Sequence, residues 1–117
     1  MDYGCIGEHL SHSFSKEIHN ALAGYDYKIQ EIERDKLEDF FVKKEVKAIN
    51  VTIPYKQVII PFLDEISDEA KKINAVNTVV NRNGKLYGYN TDFYGLKALI
   101  ECNGVSLRGK KVLILGS

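Results

Sequence analysis

The sequence predicts an α/β fold of three layers, with a mixed, mostly parallel sheet flanked by helices. Three observations predict it. Segments with strand and helix character alternate along the chain, which favours parallel strands joined by right-handed crossovers. Asn83-Gly84 lies between two β-rich runs and signals a two-residue hairpin, so one strand runs antiparallel. Val112-Leu113-Ile114-Leu115 is an unbroken apolar run of the kind covered on both faces.

Taken in order, Tyr3 to Gly7 reads as a short buried strand closed by glycine. Phe14, Ile18, Ala21, Leu22 and Tyr25 fall at helical spacing, predicting a helix from about Ser13 to Ala23 that stops near Gly24. Tyr27, Ile29 and Ile32 suggest a strand with one irregular step. Asp35 can cap a helix whose apolar positions are Leu37, Phe40, Phe41 and Val42. Ala48 to Ile53 is a β-branched run stopped by Pro54, after which a short helix is favoured. Ser67 is a good N-cap for a helix through Lys72. Val76 to Val80 and Leu86 to Tyr89 form the hairpin arms, and Asp92 opens a helix with Leu96, Leu99 and Ile100 as its buried face.

The 117 residues carry 16 Lys+Arg against 16 Asp+Glu, a balance that gives no electrostatic case for nucleic acid or an anionic membrane. No apolar run approaches the roughly 20 residues of a membrane helix. The N-terminus lacks a basic region followed by an apolar one, so no secretory signal is expected. Cys5 and Cys102 lie far apart without ligand-like spacing, which suits free thiols in the cytoplasm. His12 and His19 have no acidic partner at metal spacing, so no metal site is expected.

Three polar clusters stand where core packing does not ask for them. In His12-Ser13-Phe14-Ser15, two hydroxyls near a helix N-terminus can reach one anion; alternatively Ser13 is an N-cap and Ser15 an exposed first-turn residue. In Asn50-Val51-Thr52-Ile53-Pro54-Tyr55-Lys56, Asn50 and Thr52 point to one face of a strand, at the end where open α/β sheets bind ligands. Lys56 would stand over that edge as an acid or base, or else be a solvated surface lysine. In Gly88-Tyr89-Asn90-Thr91-Asp92, Asp92 is either an N-cap or the carboxylate partner of Lys56. Asn77 and Thr91 could bond ligand hydroxyls. The combined chemistry suits a polyhydroxylated anion.

These motifs, with His19-Asn20, Ala75-Val76-Asn77-Thr78 and Gly95, resemble the N-terminal, substrate-binding domain of shikimate dehydrogenases, from Gly7 to Gly116. The resemblance implies an aminoacid-dehydrogenase-like N-terminal domain of an enzyme that reversibly reduces 3-dehydroshikimate to shikimate with NADPH. It implies that Ser13 and Ser15 bind the substrate carboxylate and that Thr52, Asn77 and Thr91 surround the ring hydroxyls. Lys56 and Asp92 would form the catalytic dyad at the reacting oxygen. Gly116 matches the first glycine of the nucleotide-binding turn. His9, Lys16 and Asn74 depart from the family, which usually has Pro, Pro and Gly there.

The apolar run before Gly116-Ser117 resembles a strand entering a nucleotide turn that is cut short. The expected organisation is a shikimate-binding domain at 1–102, a linker at 103–110 and the first strand of an NADP-binding domain at 111–117. Such a fragment is expected to be inactive alone, with NADP held elsewhere and a homodimer possible. The alternatives are a non-catalytic binding module of the same fold, or a dehydrogenase of dual quinate and shikimate specificity.

Overall fold

The computed structural model describes residues 1–10 and 13–116. The sequence readings that involve His12 and Ser117 fall outside them.

Period-two alternation builds the sheet and divides its faces. Its strands are β1 (Tyr3–Gly7), β2 (Tyr27–Glu31), β3 (Ala48–Val51), β4 (Glu65–Ile66), β5 (Thr78–Arg82) and β6 (Lys85–Tyr89), in the order β2-β1-β3-β5-β6-β4. β1 pairs parallel with β2 and β3, and β4 pairs parallel with β6. β5 runs antiparallel to both its neighbours. The carboxyl ends of all the other strands therefore share one edge, and β5 starts there. The mixed, mostly parallel sheet matches the sequence expectation.

On one face stand Ile6, Ile49, Val51, Val79 and Leu86, all buried. They pack with Leu37 and Phe41 of α2 (Leu37–Lys43), with Ile59 and with Ala70 of α3 (Asp68–Ile73), forming the core. The other face carries Tyr27, Cys5, Asn50 and Thr78, brought side by side by register: Cys5 opposes Asn50, and Asn50 opposes Thr78. The helix α1 (Ser15–Leu22) lies against β2 on this side, with the His19 ring stacked on Tyr27 at 3.9 Å.

The hairpin turn is as expected: Asn83 and Gly84 take φ of 54° and 83°, the left-handed pair that a tight hairpin needs. Ser67 caps α3 by accepting from the Ala70 N–H. Asn74 ends that helix in the left-handed conformation, at φ 57°, a position that suits glycine or asparagine.

Other expectations are corrected. α1 starts at Ser15, two residues late, and its Phe14–Ile18–Leu22 stripe is exposed. Asp35 does not cap α2; it sits inside a 3₁₀ turn, Arg34–Lys36, that leads into the helix. β3 ends at Val51 rather than Ile53, since Ile53 and Pro54 lie in a turn. Turns follow Pro54, and the 3₁₀ helix of this region comes later, at Ile60–Phe62. β4 was not foreseen. The helix α4 (Thr91–Cys102) has no buried residue, so Leu96, Leu99 and Ile100 do not form a buried face. Residues 112–115 make no strand and are exposed, because the segment has no ladder partner among the described residues.

One carboxylate holds the minor strand in place. Asp64 accepts from the Leu86 N–H at 2.7 Å and from Lys44 at 3.0 Å. The Leu86 amide, and then the Lys44 ammonium, hold its carboxyl below the usual range. A lowered folded-state pKa contributes stability above the ordinary carboxylate range, and that stability is lost as pH falls through the folded value. Urea unfolding between pH 7 and pH 3 should therefore show a steeper acid loss for the native chain than for Asp64→Asn. Identical pH profiles would exclude this role.

Candidate active site

The sheet edge with the strand carboxyl ends gathers four segments: the loop after β1, the turn after β3, the approach to β5 and the start of α4. Buried residues fix the last three of them. Tyr55, fully buried, donates its hydroxyl to the Ile32 carbonyl at 2.6 Å and pins the turn after β3. The next residue, Lys56, accepts from the Val76 N–H at 2.7 Å through its carbonyl. Its side chain is thus carried on backbone that is fixed on both sides. Lys56 Nζ reaches Asp92 Oδ2 at 2.6 Å. The two residues, far apart in sequence, do meet.

Asp92 is available because it is not the cap of α4. Asn90 is: its Oδ1 accepts from the Phe93 N–H at 3.1 Å, while its Nδ2 donates to the Ala75 carbonyl at 3.0 Å. Asn77 makes the second tie. Its Oδ1 accepts from the Thr91 N–H at 2.9 Å, and its Nδ2 donates to Thr91 Oγ1 at 2.9 Å. Both asparagines are buried. The start of α4, and Asp92 with it, is bolted to the segment that leads into β5.

A cavity of about 460 Å³ opens beside this edge, lined by Ser13, Ser15 and Thr52 together with Cys5 and His9. Gly7 lets the chain close around it, since a Cβ there would meet Thr52 Cγ2 at 2.9 Å. Ser13 Oγ accepts from the Ser15 N–H at 3.3 Å, which ties the Ser13 side chain to the start of α1. Burial raises the Cys5 thiol pKa, and the Lys56 charge opposes that rise. Lys56 and Asp92 are not among the residues that line the cavity, and no hydrogen bond joins the two groups among the described residues. A larger groove of about 560 Å³, between α4 and residues 104–107, is lined mainly by Phe93, Leu96, Val105 and Leu107 and holds none of the expected ligands.

Asn90 and Tyr27 went unassigned in the sequence reading. Asn90 had a signal, a capping side chain immediately before a helix, but Thr91 and Asp92 offered the same one. Tyr27 had only its strand position. His9, noted as a departure, lines the cavity itself. Lys16 is the second residue of α1.

An α/β sheet with paired polar side chains and a cavity along its carboxyl edge defines a small-molecule-binding domain. The family described as "Shikimate dehydrogenase substrate binding domain" matches residues 5–79, and the chain belongs to that family. Shikimate dehydrogenase (NADP(+)) of Clostridium beijerinckii is 46% identical over 123 aligned residues, covering 98% of this chain and 46% of that protein. The crystal structure of shikimate dehydrogenase 1 from Peptoclostridium difficile superposes with a TM-score of 0.89 at 40% identity, covering 100% of this chain and 47% of that one. Shikimate 5-dehydrogenase of Thermus thermophilus in complex with shikimate gives a TM-score of 0.81 at 28% identity, covering 94% and 45%. The chain thus spans about half the length of the curated relatives it matches.

The capping amide has a measurable worth. Asn90→Ala removes one helix cap and one bond to the Ala75 carbonyl, so urea unfolding should show a loss of about 1–2 kcal/mol. Asn103→Ala, at the exposed far end of α4, should change stability by less than about 0.5 kcal/mol.

Proposed function

We propose that the chain is the substrate-binding part of an NADP-dependent oxidoreductase that interconverts 3-dehydroshikimate and shikimate, in chorismate and aromatic amino acid biosynthesis. The observation that carries this reading is the Lys56–Asp92 pair, standing at one sheet edge with the Asn77–Thr91 pair and the Ser13–Ser15–Thr52 cavity. The names of the relatives supply the substrate and the cofactor.

The roles follow from charge and donor type. The Ser13 and Ser15 hydroxyls donate to the substrate carboxylate. Thr52, Asn77 and Thr91 bond the ring hydroxyls. Bound NADPH supplies the hydride. As negative charge develops on the ring oxygen, Lys56 delivers a proton to it, and Asp92 holds the ammonium in line. In the oxidative direction Lys56 takes the proton back. Of the nucleotide turn, this chain carries Gly116, whose φ of 91° suits glycine. A nucleotide cradle needs a complete strand, glycine turn and helix. We therefore assign residues 1–102 to the substrate domain, 103–110 to the linker and 111–117 to the entry of the nucleotide domain. The 117-residue chain alone should show no NADP-linked turnover. No described helix is long and apolar enough to cross a membrane, and two unbridged cysteines suit a cytoplasmic enzyme, monomeric or homodimeric.

In the intact enzyme, Lys56→Ala should lower kcat by about 10²–10⁴-fold while shikimate binding weakens by less than about tenfold. Equal losses in both would reduce Lys56 to a binding group. Titrating shikimate into the labelled chain should shift the NMR signals of Ser13, Ser15, Lys56, Asn77 and Asp92. Shifts with quinate of equal size would favour dual specificity, and no shift with either would favour a different ligand.

A further inference from the structure

A hydrogen-bond chain crosses the second face of the sheet and ends on Asn77. Tyr27, on β2 and only 2% exposed, donates its hydroxyl to Asn50 Oδ1 at 2.6 Å. Asn50 Nδ2 donates to Thr78 Oγ1 at 3.3 Å, and the Thr78 hydroxyl donates to Asn77 Oδ1 at 3.1 Å. Register makes this possible, because Asn50 and Thr78 oppose each other on β3 and β5.

The chain has a direction, and Tyr27 sets it. A side-chain amide can be turned either way, so its neighbours decide which end donates. Among the described residues, the Tyr27 hydrogen has Asn50 Oδ1 as its acceptor. That leaves Asn50 Nδ2 facing Thr78. Thr78, already accepting, has its own hydrogen free for Asn77. Burial, with Cys5 and Tyr25 nearby, pushes the Tyr27 phenol pKa well up, so it keeps this hydrogen throughout the physiological range. The His19 ring, nearly parallel at 5°, holds the phenol ring in place from the α1 side and bonds the Tyr25 hydroxyl.

We propose that Tyr27 is a positioning residue for Asn77: acting through Asn50 and Thr78, it keeps the Asn77 oxygen occupied and leaves the second Nδ2 hydrogen for a ligand hydroxyl. From the far side, the Thr91 N–H, which can only donate, falls on the same oxygen. The Thr91 hydroxyl donates to it as well, at 3.2 Å, so the amide oxygen is held by Thr78 on one side and by Thr91 on the other. This inference rests on the reading of Asn77 as a substrate ligand, and the test separates the two.

The test is nitrogen-15 NMR of the 117-residue chain carrying Tyr27→Phe, which keeps the ring and its contact with His19. The side-chain amides of Asn50 and Asn77 should shift and exchange with solvent about fivefold faster or more, while Asn90, bonded to Ala75 outside this chain of bonds, stays unchanged. Tyr25→Phe should leave Asn77 unchanged. Should Tyr27→Phe fail to fold, Thr78→Ala cuts the chain one link later and should move Asn77 without moving Asn90. Shikimate should then bind the variant about fivefold to tenfold more weakly than it binds the native chain. An undisturbed Asn77, or an Asn90 disturbed equally, overturns the role of Tyr27. Failure of the native chain to bind shikimate overturns the substrate reading instead, and the amide measurement still decides whether Tyr27 orients Asn77.

Discussion

The Asn77 side chain is the interaction on which the site depends. It joins the approach to β5 to the first residue of α4, extending the β5–β6 ladder and the bond from the Asn77 N–H to the Tyr89 carbonyl. A buried amide without partners costs about 1–3 kcal/mol, so a conformation that separated Asn77 from Thr91 would be penalised at both ends of the amide. Asn90 makes a parallel tie from the helix side to Ala75. Two amides, each using both its donor and its acceptor, thus determine where α4 begins. Asp92 follows from that position by the geometry of the first helical turn, and so does its reach to Lys56.

The two faces of the sheet differ in chemistry, one apolar and one hydrogen-bonded. The face bearing Ile6, Ile49, Val51, Val79 and Leu86 is dry and closed by α2 and α3. The opposite face is a row of hydroxyls and amides that satisfy one another, and no buried side-chain polar atom among the described residues lacks a partner. A row of this kind adds little net stability, since each bond replaces one to water. It does fix which atoms donate at the carboxyl edge. The proposed recognition of a hydroxylated ring would need that definition more than strength.

What was legible in the sequence was local. Asn83-Gly84 specifies a turn by itself, and Ser67 specifies a cap three residues from its target, so both were readable. The meeting of Lys56 and Asp92 was readable because each cluster sits at the end of a recognisable strand. The cap of α4 was not, because Asn90, Thr91 and Asp92 can all cap a helix and the choice is made by the Ala75 carbonyl, distant in sequence. β4 is two residues long, too short to carry a period. The apolar stripes of α1 and α4 show where periodicity stops being informative. Spacing tells which residues share a helix face, not whether anything covers it, and here Phe14, Leu22, Leu96 and Leu99 are exposed. The Tyr27 chain was hidden for a related reason, since register across four strands, β2-β1-β3-β5, sets it and no local pattern encodes register.

The Lys56–Asp92 pair itself adds little to stability. Its partners are 33% and 61% exposed, and ion pairs in such surroundings contribute about 0–1 kcal/mol. The strong contacts lie one step behind it: the fully buried Tyr55 under the Lys56 turn, the Val76 amide on the Lys56 carbonyl, and Asn77 and Asn90 behind Asp92. A pair serving the fold would be expected to lie where water cannot weaken it. This one stands in partial solvent, on backbone held more firmly than the pair could hold itself. Such an arrangement suits a proton carrier, which needs a fixed position and also access to a ligand and to solvent.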